Sequence, residues 1–324
     1  MIELKNITKT YKVAKRDAGL NNAVKSFIKR EYTEIKALDD ISFKIDEGEM
    51  VGYIGPNGAG KSTTIKIMCG ILTPDSGICE INGVVPYKNR KQYVKDIGVV
   101  FGNRSALWWD VAVEDSFELL KEIYKIPDRQ YKEQKDMLVD MLNIKEIIKT
   151  PTRQLSLGQR MRCEIASAFL HNPKIVFLDE PTIGLDSVSK IAVRNFIKKI
   201  NKEQKTTIIL TTHDTGDIEA LTKRVILIGK GKLLLDGSLN SLMKKYNKKM
   251  LKIKYKGDLK DDLIPGLKIT KDEHGSAEIE LDENVTSLAN SITYLNQKVE
   301  IQDLDIENTP IDNVVANLYN EYHI

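Results

Sequence analysis

Short apolar runs alternate with amphipathic helical patterns over residues 1–243 of the chain. Continuous apolar or alternating character predicts strands, and apolar positions three and four apart predict helices. The predicted strands cover residues 2–11, 41–45, 51–54, 98–101, 175–178, 207–211 and 225–228. The predicted helices cover residues 61–69, 111–124, 130–142, 160–170 and 188–200. Strands that alternate with helices favour an α/β fold with a mainly parallel sheet covered on both faces.

The pattern changes after a polar, basic run at residues 244–249, which we interpret as a linker. Strand-like stretches follow at residues 251–255, 267–270, 277–281 and 299–306, and helix-like stretches at 285–295 and 311–322. We therefore predict a first domain over residues 1–243, and a linker with a small C-terminal α+β domain over residues 244–324. Three acidic residues of this domain are expected to form a solvated face: Asp303, Asp305 and Glu307.

The composition is that of an ordinary globular protein, with 41% hydrophobic and 29% charged residues among 324. The 49 basic and 46 acidic residues leave a net charge of +3, which gives no reason to expect nucleic-acid binding. The cysteines Cys69, Cys79 and Cys163 lack metal-ligand spacing and favour a reducing compartment. No signal core or membrane-spanning apolar run is present, so another chain is expected to supply any membrane crossing.

A glycine-rich loop follows the predicted strand 51–54 and precedes the predicted helix 61–69. It matches the pattern G-x-x-x-x-G-K-[ST], followed by one threonine: Gly55, Pro56, Asn57, Gly58, Ala59, Gly60, Lys61, Ser62 and Thr63. Glycines let backbone N–H groups curl around a phosphate, and the helix N-terminus adds its own free N–H groups. Lys61 can neutralise the β- and γ-phosphates, and Ser62 can bind Mg²⁺. We therefore predict an ATP site here rather than a chance glycine-rich turn.

Two adjacent acids, Asp179 and Glu180, follow the apolar run 175–178. Ligands of α/β folds bind at this carboxyl edge of the sheet. Two acids at a buried strand end are costly without a nearby cation, so a plain loop explains them poorly. We predict that Asp179 holds Mg²⁺, directly or through water, and that Glu180 orients and activates the attacking water.

The motifs together resemble those of the ABC ATPases, over about residues 1–240 of the chain. One is similar to the family signature LSGGQ: Leu155, Ser156, Leu157, Gly158 and Gln159. Leu157 stands where the commonest form of this signature has glycine. In the family the signature acts in trans: it caps the γ-phosphate bound by a second subunit, so that two chains enclose two ATP molecules.

Three further positions match nucleotide-site residues of this family. Asp186 matches the D-loop, which lies at the interface of the two subunits. His213 matches the switch histidine that contacts the γ-phosphate, and Tyr11 matches the aromatic residue that stacks on adenine. Alone, a histidine or a strand-end tyrosine is more often structural. For His213, the preceding strand and the order of the surrounding motifs favour function.

The resemblance implies a P-loop NTPase with an N-terminal antiparallel β part and a helical subdomain at about residues 105–170. It implies an ATPase that takes ATP and Mg²⁺ and dimerises head-to-tail with a second copy or a related chain. Such a dimer powers a separate transmembrane permease and is peripheral, at the cytoplasmic face of the cell membrane. The stretches 97–109 and 154–162 look like the ABC-2-type branch, which includes drug-resistance and polysaccharide exporters, and this favours export.

Some segments depart from the family pattern. Asn103 stands at the Q-loop position, where a glutamine is expected, and its amide is on a shorter stem. We expect hydrolysis to survive this change and the coupling to the transporter to be altered.

Trp108 and Trp109 are either an anchor for the membrane subunit or core of the helical subdomain. Residues 12–36 form an insertion with a basic amphipathic pattern. Such a helix either lies at the cytoplasmic membrane surface or packs on protein.

Two other functions stay open on the sequence alone. One is a non-transport ABC ATPase that uses ATP-driven dimerisation to regulate a protein or nucleic-acid partner. The other is a module that binds ATP without turnover, for which Asn103 is the only support. A stable complex with a polytopic membrane protein would decide for transport. The transported substrate is not encoded in any motif of this chain.

Overall fold

A computed structural model shows the chain as two compact units, Met1–Gly237 and Ser238–Ile324. The structure describes residues 1–14, 32–102, 104–245, 248–259, 262–273, 275–308 and 311–322. The first unit ends at Gly237, a few residues before the predicted boundary at residue 243. Within these described ranges, none of the helices has the length and apolar character needed to cross a membrane.

The first unit is built on two sheets. Its strands are β1 (Ile2–Ala14), β2 (Tyr32–Ile45), β3 (Met50–Ile54), β4 (Ser76–Ile81), β5 (Ile97–Phe101), β6 (Ile175–Asp179), β7 (Thr207–Thr211), β8 (Arg224–Gly229) and β9 (Lys232–Ser238). The central sheet has six strands in the order β5-β6-β7-β3-β8-β9. Along this order, each neighbouring pair from β5 through to β8 is parallel. Its inner strands are buried on both faces, since Phe177 packs into one core and the next residue, Leu178, into the other, which explains their continuous apolar runs. The predicted α/β fold with a mainly parallel core sheet is confirmed.

The second sheet is antiparallel, in the order β2-β1-β4. Strands occupy both ends of the insertion predicted over residues 12–36, because β1 continues to Ala14 and β2 already begins at Tyr32, its register partner. Tyr, Val and Ile at these ends favour an extended backbone. Residues 15–31, which carry the basic amphipathic pattern, lie outside the described residues.

Helices cover the sheets and fill the stretch predicted as a helical subdomain. Those of the described first unit are α1 (Lys61–Met68), α2 (Arg90–Tyr93), α3 (Val113–Tyr124), α4 (Asp128–Met141), α5 (Leu157–Phe169), α6 (Ser187–Gln204) and α7 (Thr215–Leu221). A 3-10 turn, Thr152–Gln154, precedes α5. Phe117 of α3, Leu138 of α4 and Phe169 of α5 share one buried core, and the Phe169 ring meets Phe196 of α6 edge-on at 5.0 Å. This core supports the segments that carry the signature and the D-loop.

The second unit is the predicted α+β arrangement. It contains α8 (Leu239–Lys245), β10 (Lys248–Lys256), β11 (Leu267–Asp272), β12 (Ser276–Asp282), α9 (Leu288–Lys298), β13 (Glu300–Asn308) and α10 (Ile311–Glu321). The sheet order is β11-β12-β10-β13, and its paired strands are antiparallel. One face holds the core residues Leu251, Ile253 and Ile279, together with Leu295 of α9.

The linker predicted over residues 244–249 is wrong at both ends, because residues 244 and 245 belong to α8 and residues 248 and 249 to β10. Lys248 pairs with Glu280 at 2.7 Å, and Lys249 pairs with Glu283 at 2.8 Å. Acidic partners thus allow this basic run to begin a strand. The face of Asp303, Asp305 and Glu307 is solvated, as predicted, and its acids lie beside the lysines of β10.

Candidate active site

The phosphate loop connects β3 to α1 and is tightly enclosed at two of its glycines. A Cβ added to Gly55 would lie 2.3 Å from the carbonyl oxygen of Ile228, and one added to Gly60 would lie 2.5 Å from that of Ala37. Gly58 and Gly60 have φ values of +79° and +109°, a region that side chains rarely allow. Only glycine fits both conditions at Gly60, so the backbone can turn directly into the helix N-terminus.

Lys61 begins α1, and its side chain folds back over the loop. Its Nζ donates to the carbonyl oxygens of Gly55 at 2.6 Å and Pro56 at 3.2 Å. Burial lowers the pKa of Lys61, while Glu180 and Asp179 act to raise it. The ammonium group therefore lies largely desolvated beside two acids, where it can neutralise an anionic ligand strongly.

The two predicted acids occupy the end of β6 and the first residue beyond it. The Thr211 hydroxyl donates to Oδ1 of Asp179, and the backbone N–H of Glu180 donates to the Thr211 carbonyl at 2.9 Å. Glu180 has a φ of +58°, so the chain turns sharply there, which is an uncommon conformation for this residue type. Burial raises the pKa of the Glu180 carboxyl, and His213 lowers it in part. The raised pKa makes the Glu180 carboxylate a stronger base than that of an ordinary exposed glutamate, which suits it to accept a proton.

His213 lies between the lysine and the glutamate. Its Nε2 is 3.5 Å from Lys61 Nζ and 3.4 Å from Glu180 Oε1. Its backbone N–H donates to Glu180 Oε2 at 3.4 Å. Three groups from distant parts of the chain thus meet: a cation, a carboxylate and an imidazole.

These groups border a cavity of about 520 Å³, within the usual size range of small-molecule sites. Its lining residues are Ala37, Pro56, Asn57, Gly58, Ala59, Gly60, Lys61, Ser62, Thr63, Gly102, Asp179, Glu180, Ile183 and His213. Every predicted residue of the phosphate loop after Gly55 therefore reaches one cavity together with both acids and the histidine. Ala37, Gly102 and Ile183 were not predicted, because small or apolar side chains carry no chemical signal in the sequence.

The oxygen ligands at this cavity suit Mg²⁺. The Ser62 hydroxyl and the Asp179 carboxylate both line it, and the Thr211 hydroxyl bonds to Oδ1 of Asp179. Mg²⁺ prefers oxygen ligands, keeps several waters, and is usually held by one or two carboxylates together with phosphates. The described residues contain no cluster of three His, Cys, Asp or Glu side chains that could bind a metal alone. A metal here would therefore depend on the phosphates of a nucleotide.

Tyr11 lies on the extended hairpin of β1 and β2 and does not line the cavity. It pairs with Ile35, which is two residues before the cavity residue Ala37. Tyr11, Val13 and Ile35 are all exposed apolar residues, and Tyr11 and Ile35 are direct cross-strand neighbours on one face of the ribbon. An exposed apolar patch therefore lies on the strand that leads, two residues later, to the cavity residue Ala37.

The signature forms the start of α5, with Ser156 as its N-cap. The backbone N–H of Gln159 donates to Ser156 Oγ at 3.2 Å, and that of Ser156 donates to Gln159 Oε1 at 2.9 Å. This reciprocal capping box explains why α5 begins at Leu157, before the predicted residue 160. The S-x-x-Q spacing could have revealed it. The signature residues do not line the cavity of their own chain.

The D-loop residue Asp186 is the N-cap of α6. Its carboxylate accepts from the Ser189 backbone N–H at 2.9 Å and from the Ser189 hydroxyl at 2.8 Å, and these bonds lower the pKa of Asp186. A Cβ on Gly158 would lie 3.3 Å from Ser189 Oγ, so the signature packs against this cap. Likewise, a Cβ on Gly184 would lie 2.4 Å from Leu157 Cδ2.

Asn103 lies outside the described residues, but the segment after it is anchored to the signature helix. Glu164 of α5 is buried, and its carboxylate accepts from the Ser105 hydroxyl and from the backbone N–H of Ala106, the latter at 2.9 Å. Burial raises the pKa of Glu164, and these hydrogen bonds lower it in part. Helix α5 therefore joins the signature to the loop that follows β5.

The two tryptophans are not core residues, because Trp108 is 42% exposed and Trp109 is 52% exposed. The Arg160 guanidinium lies over the Trp109 ring at 5.7 Å. The backbone N–H of Arg153 donates to the Trp109 carbonyl at 3.0 Å. The exposed indoles are therefore held beside the first turn of the signature helix.

This phosphate loop, acid pair and histidine on a parallel sheet define a nucleotide-binding cassette. Comparison with known proteins agrees: the model of the ABC transporter family matches residues 38–183. The chain is 32% identical over 208 residues to the ABC transporter ATP-binding protein NatA of Bacillus subtilis, covering 64% of this chain and 84% of NatA. It is also 32% identical over 220 residues to the bacitracin transport ATP-binding protein BcrA of Bacillus licheniformis, covering 68% and 70% of the two chains. The chain belongs to the family of ABC transporter ATP-binding proteins.

A solved structure extends this likeness to the fold and to hydrolysis. The ATP-binding cassette MJ0796, solved as a dimer in a post-hydrolysis state with ADP and Pi, superposes with a TM-score of 0.61 at 28% identity. The match covers 74% of this chain and 99% of that cassette. The protein is therefore an ATP-binding, ATP-hydrolysing subunit of an ABC transporter.

Proposed function

We propose that Lys61, Glu180 and His213 form the hydrolytic centre of this ATPase. The observation that carries the proposal is the position of His213 Nε2, 3.5 Å from Lys61 Nζ and 3.4 Å from Glu180 Oε1. Phosphoryl transfer requires mainly charge neutralisation and an oriented nucleophile. A buried ammonium, a carboxylate of raised pKa and an imidazole at one cavity supply these functions.

Each group has a distinct role in this proposal. Lys61 and the N–H groups of the phosphate loop bind the β- and γ-phosphates, and Ser62 and Asp179 hold Mg²⁺. The metal, when bound, neutralises charge on the phosphate oxygens. Glu180 orients the attacking water and accepts its proton, and His213 donates a hydrogen bond to the γ-phosphate. Separately, Tyr11 stacks on the adenine, for which the exposed apolar face of its hairpin is the support.

The signature, in this proposal, serves the nucleotide of a second subunit. Ser156, Leu157, Gly158 and Gln159 stand away from the cavity of their own chain, while their helix start is fully formed. A head-to-tail dimer would bring this helix N-terminus, with its positive dipole end, to the γ-phosphate held by the other copy. Asp186 would lie at the same interface. The related cassette MJ0796 forms a dimer, which supports this arrangement.

We further propose that the dimer drives a separate transmembrane permease that exports its substrate. The support is the likeness to BcrA, whose name assigns it to bacitracin transport, and the resemblance to the ABC-2-type branch. The exposed pair Trp108 and Trp109 would contact that permease, since aromatic residues are enriched at interface hot spots. The ATPase would then be peripheral, at the cytoplasmic face of the cell membrane.

Replacing Glu180 by Gln tests the hydrolytic centre. The variant should bind ATP with unchanged affinity, lose about 100-fold or more in turnover, and accumulate as an ATP-bound dimer in size-exclusion chromatography. Glu219→Gln, at an exposed position of α7, is the matched control and should behave as the native chain. Native turnover in Glu180→Gln would refute the role of this residue.

Co-purification tests the transport role separately. The tagged native chain should retain a polytopic membrane protein after detergent extraction, and replacing both Trp108 and Trp109 by Ala should weaken that complex. A stable complex with a non-membrane protein or nucleic acid in its place would favour the regulatory function instead.

A further inference from the structure

A buried acid behind the cavity joins the two loops that carry Glu180 and His213. Asp217 of α7 is fully buried, and its Oδ2 accepts from the Thr182 hydroxyl and, at 3.2 Å, from the Thr212 hydroxyl. Thr182 is two residues after Glu180, in a turn closed by the Ile183 N–H to the Glu180 carbonyl at 3.3 Å. Thr212 directly precedes His213. One carboxylate therefore holds both catalytic loops from behind.

Two basic residues of α6 bind the carboxylate of Asp217 and the nearby carboxylate of Asp214. The Arg194 guanidinium donates to Asp217 Oδ1 at 2.6 Å and to Asp214 Oδ1 at 3.3 Å. Lys190 donates to Oδ2 of Asp214, the residue that directly follows His213. The loop carrying His213 is therefore held on both sides, at Thr212 and at Asp214.

The basic pair also connects these loops to the D-loop. Asp186, Lys190 and Arg194 are spaced four residues apart, so they lie along one face of α6. Asp186 caps the start of the same helix. A displacement of the D-loop would thus move the two basic side chains with it as part of one helix.

Gly216 provides the space for this arrangement. A Cβ on Gly216 would lie 3.0 Å from Asp214 Oδ1 and 3.1 Å from a terminal nitrogen of Arg194. The guanidinium therefore lies directly against the first turn of α7.

Stability alone does not explain this buried ion pair, since well-packed apolar residues often replace such a pair without loss of stability.

We propose that Arg194 is a positioning residue, which sets the spacing of Glu180 and His213 through Asp217 and Asp214 and relays the position of the D-loop to them. This inference rests on the proposed roles of Glu180 and His213. It predicts that disturbing Arg194 lowers the rate of the hydrolytic step and leaves ATP binding intact, because the phosphate loop does not belong to this network.

Gly216→Ala tests the proposal without removing any charge. Alanine has a higher helix propensity than glycine, so this variant should keep or raise the melting temperature. The added Cβ should displace the Arg194 head group, so kcat should fall about 10-fold while KM for ATP stays within about twofold. An unchanged kcat in a folded Gly216→Ala variant would overturn the proposal.

Arg194→Met, alone and combined with Asp217→Asn, separates positioning from simple charge compensation. The single variant should lose about 10- to 100-fold in kcat. The double variant removes both charges, so it should recover thermal stability but remain at least about fivefold slower than the native chain. Return of kcat to the native value in the double variant would contradict a positioning role.

Two controls complete the design. Arg224→Met removes a comparable arginine, which bonds to Asp236 at 2.7 Å and Glu49 at 2.9 Å away from the cavity lining, and should leave kcat unchanged. Glu180→Gln, measured in parallel, shows whether the proposed centre is correct. Loss of turnover in Glu180→Gln with native turnover in Arg194→Met would overturn only the inference about Arg194.

Discussion

The side chain of Leu157 occupies the space beside Gly184, where an added Cβ would lie 2.4 Å from Leu157 Cδ2. Gly184 also has a φ of +68°, which favours glycine. The signature and the D-loop are distant in sequence, and they meet at this contact. Leu157 has a larger side chain than the glycine of the commonest signature, and Gly184 has none. We expect this contact to fix the relative position of the two segments.

Gly184→Ala should therefore impair turnover through Leu157. The left-handed backbone should cost about 1–2 kcal/mol of stability, and the half-exposed Leu157 can rotate away from the new methyl group. Gly83→Ala is the matched control, because Gly83 has a φ of +78° and no atom within 4 Å of an added Cβ. Both variants should lose similar stability in denaturant unfolding, and only Gly184→Ala should lose ATPase activity.

A double-mutant cycle identifies the contact itself. Gly184→Ala should lower kcat about fivefold more in the native background than in Leu157→Gly, a coupling of about 1 kcal/mol. Additive effects of the two substitutions would show that Leu157 does not mediate the loss.

Lys61→Met should abolish most ATP turnover, because it keeps the size of the side chain but removes the ammonium that, in the proposed mechanism, neutralises the phosphates. A loss of about 100-fold or more is expected in steady-state ATPase assays. Lys66→Met, five residues further along α1, is the control, since Lys66 does not line the cavity. Equal activities of the two variants would argue against the role of Lys61.

The pH dependence of kcat/KM should be bell-shaped, with limbs set by Glu180 and Lys61. The pKa of Glu180 is raised by burial, so the carboxyl takes up a proton, and activity falls, at a higher pH than for an ordinary glutamate. The pKa of Lys61 is lowered by burial, so its charge is lost as pH rises through a value below the usual one of about 10.4.

Two variants check the assignment of these limbs. Lys61→Arg keeps its charge at high pH, so the alkaline limb should move upward in whatever activity remains. Phosphates also titrate near pH 6. The pH dependence of ATP binding is therefore measured with Glu180→Gln, to distinguish the titration of the nucleotide from that of the enzyme. An acid limb that survives unchanged in the residual turnover of Glu180→Gln would point away from this carboxyl.

Asn103→Gln should change turnover and its metal dependence. In the family the glutamine at this position reaches the metal and the attacking water, so restoring its longer stem should shift half-saturation by Mg²⁺ about 10-fold toward lower concentrations. Asn240→Gln makes the same exchange at an exposed position of α8. Identical rates and Mg²⁺ titrations for Asn103→Gln and the native chain would refute an altered Q-loop.

Sequence reasoning recovered the cavity best where chemistry restricts residue choice. The phosphate loop and the acids Asp179 and Glu180 meet at one cavity because parallel strands present their carboxyl ends at one edge. Ala37 escaped prediction because it contributes only a small side chain and a carbonyl against Gly60. Its role depends on a contact between distant segments, and no local pattern records that.

Boundaries failed where a distant partner decides the local structure. Lys248 and Lys249 read as a polar linker but form a strand, because Glu280 and Glu283 pair with them. Similarly, the network around Arg194 had no signature in the sequence. Its members are spread over the loop after β6, helix α6, the loop before α7 and α7 itself, and in the sequence they cannot be told from ordinary charged helix residues.

The capping box of Ser156 and Gln159 bears on how quickly two chains can pair. These side chains satisfy each other's backbone N–H groups within one chain, so the first turn of α5 is ordered before a partner arrives. Association at this face would then lose little conformational entropy. Two copies would meet as nearly rigid bodies, at a rate governed by diffusion and orientation, and ATP would chiefly lengthen the lifetime of the pair.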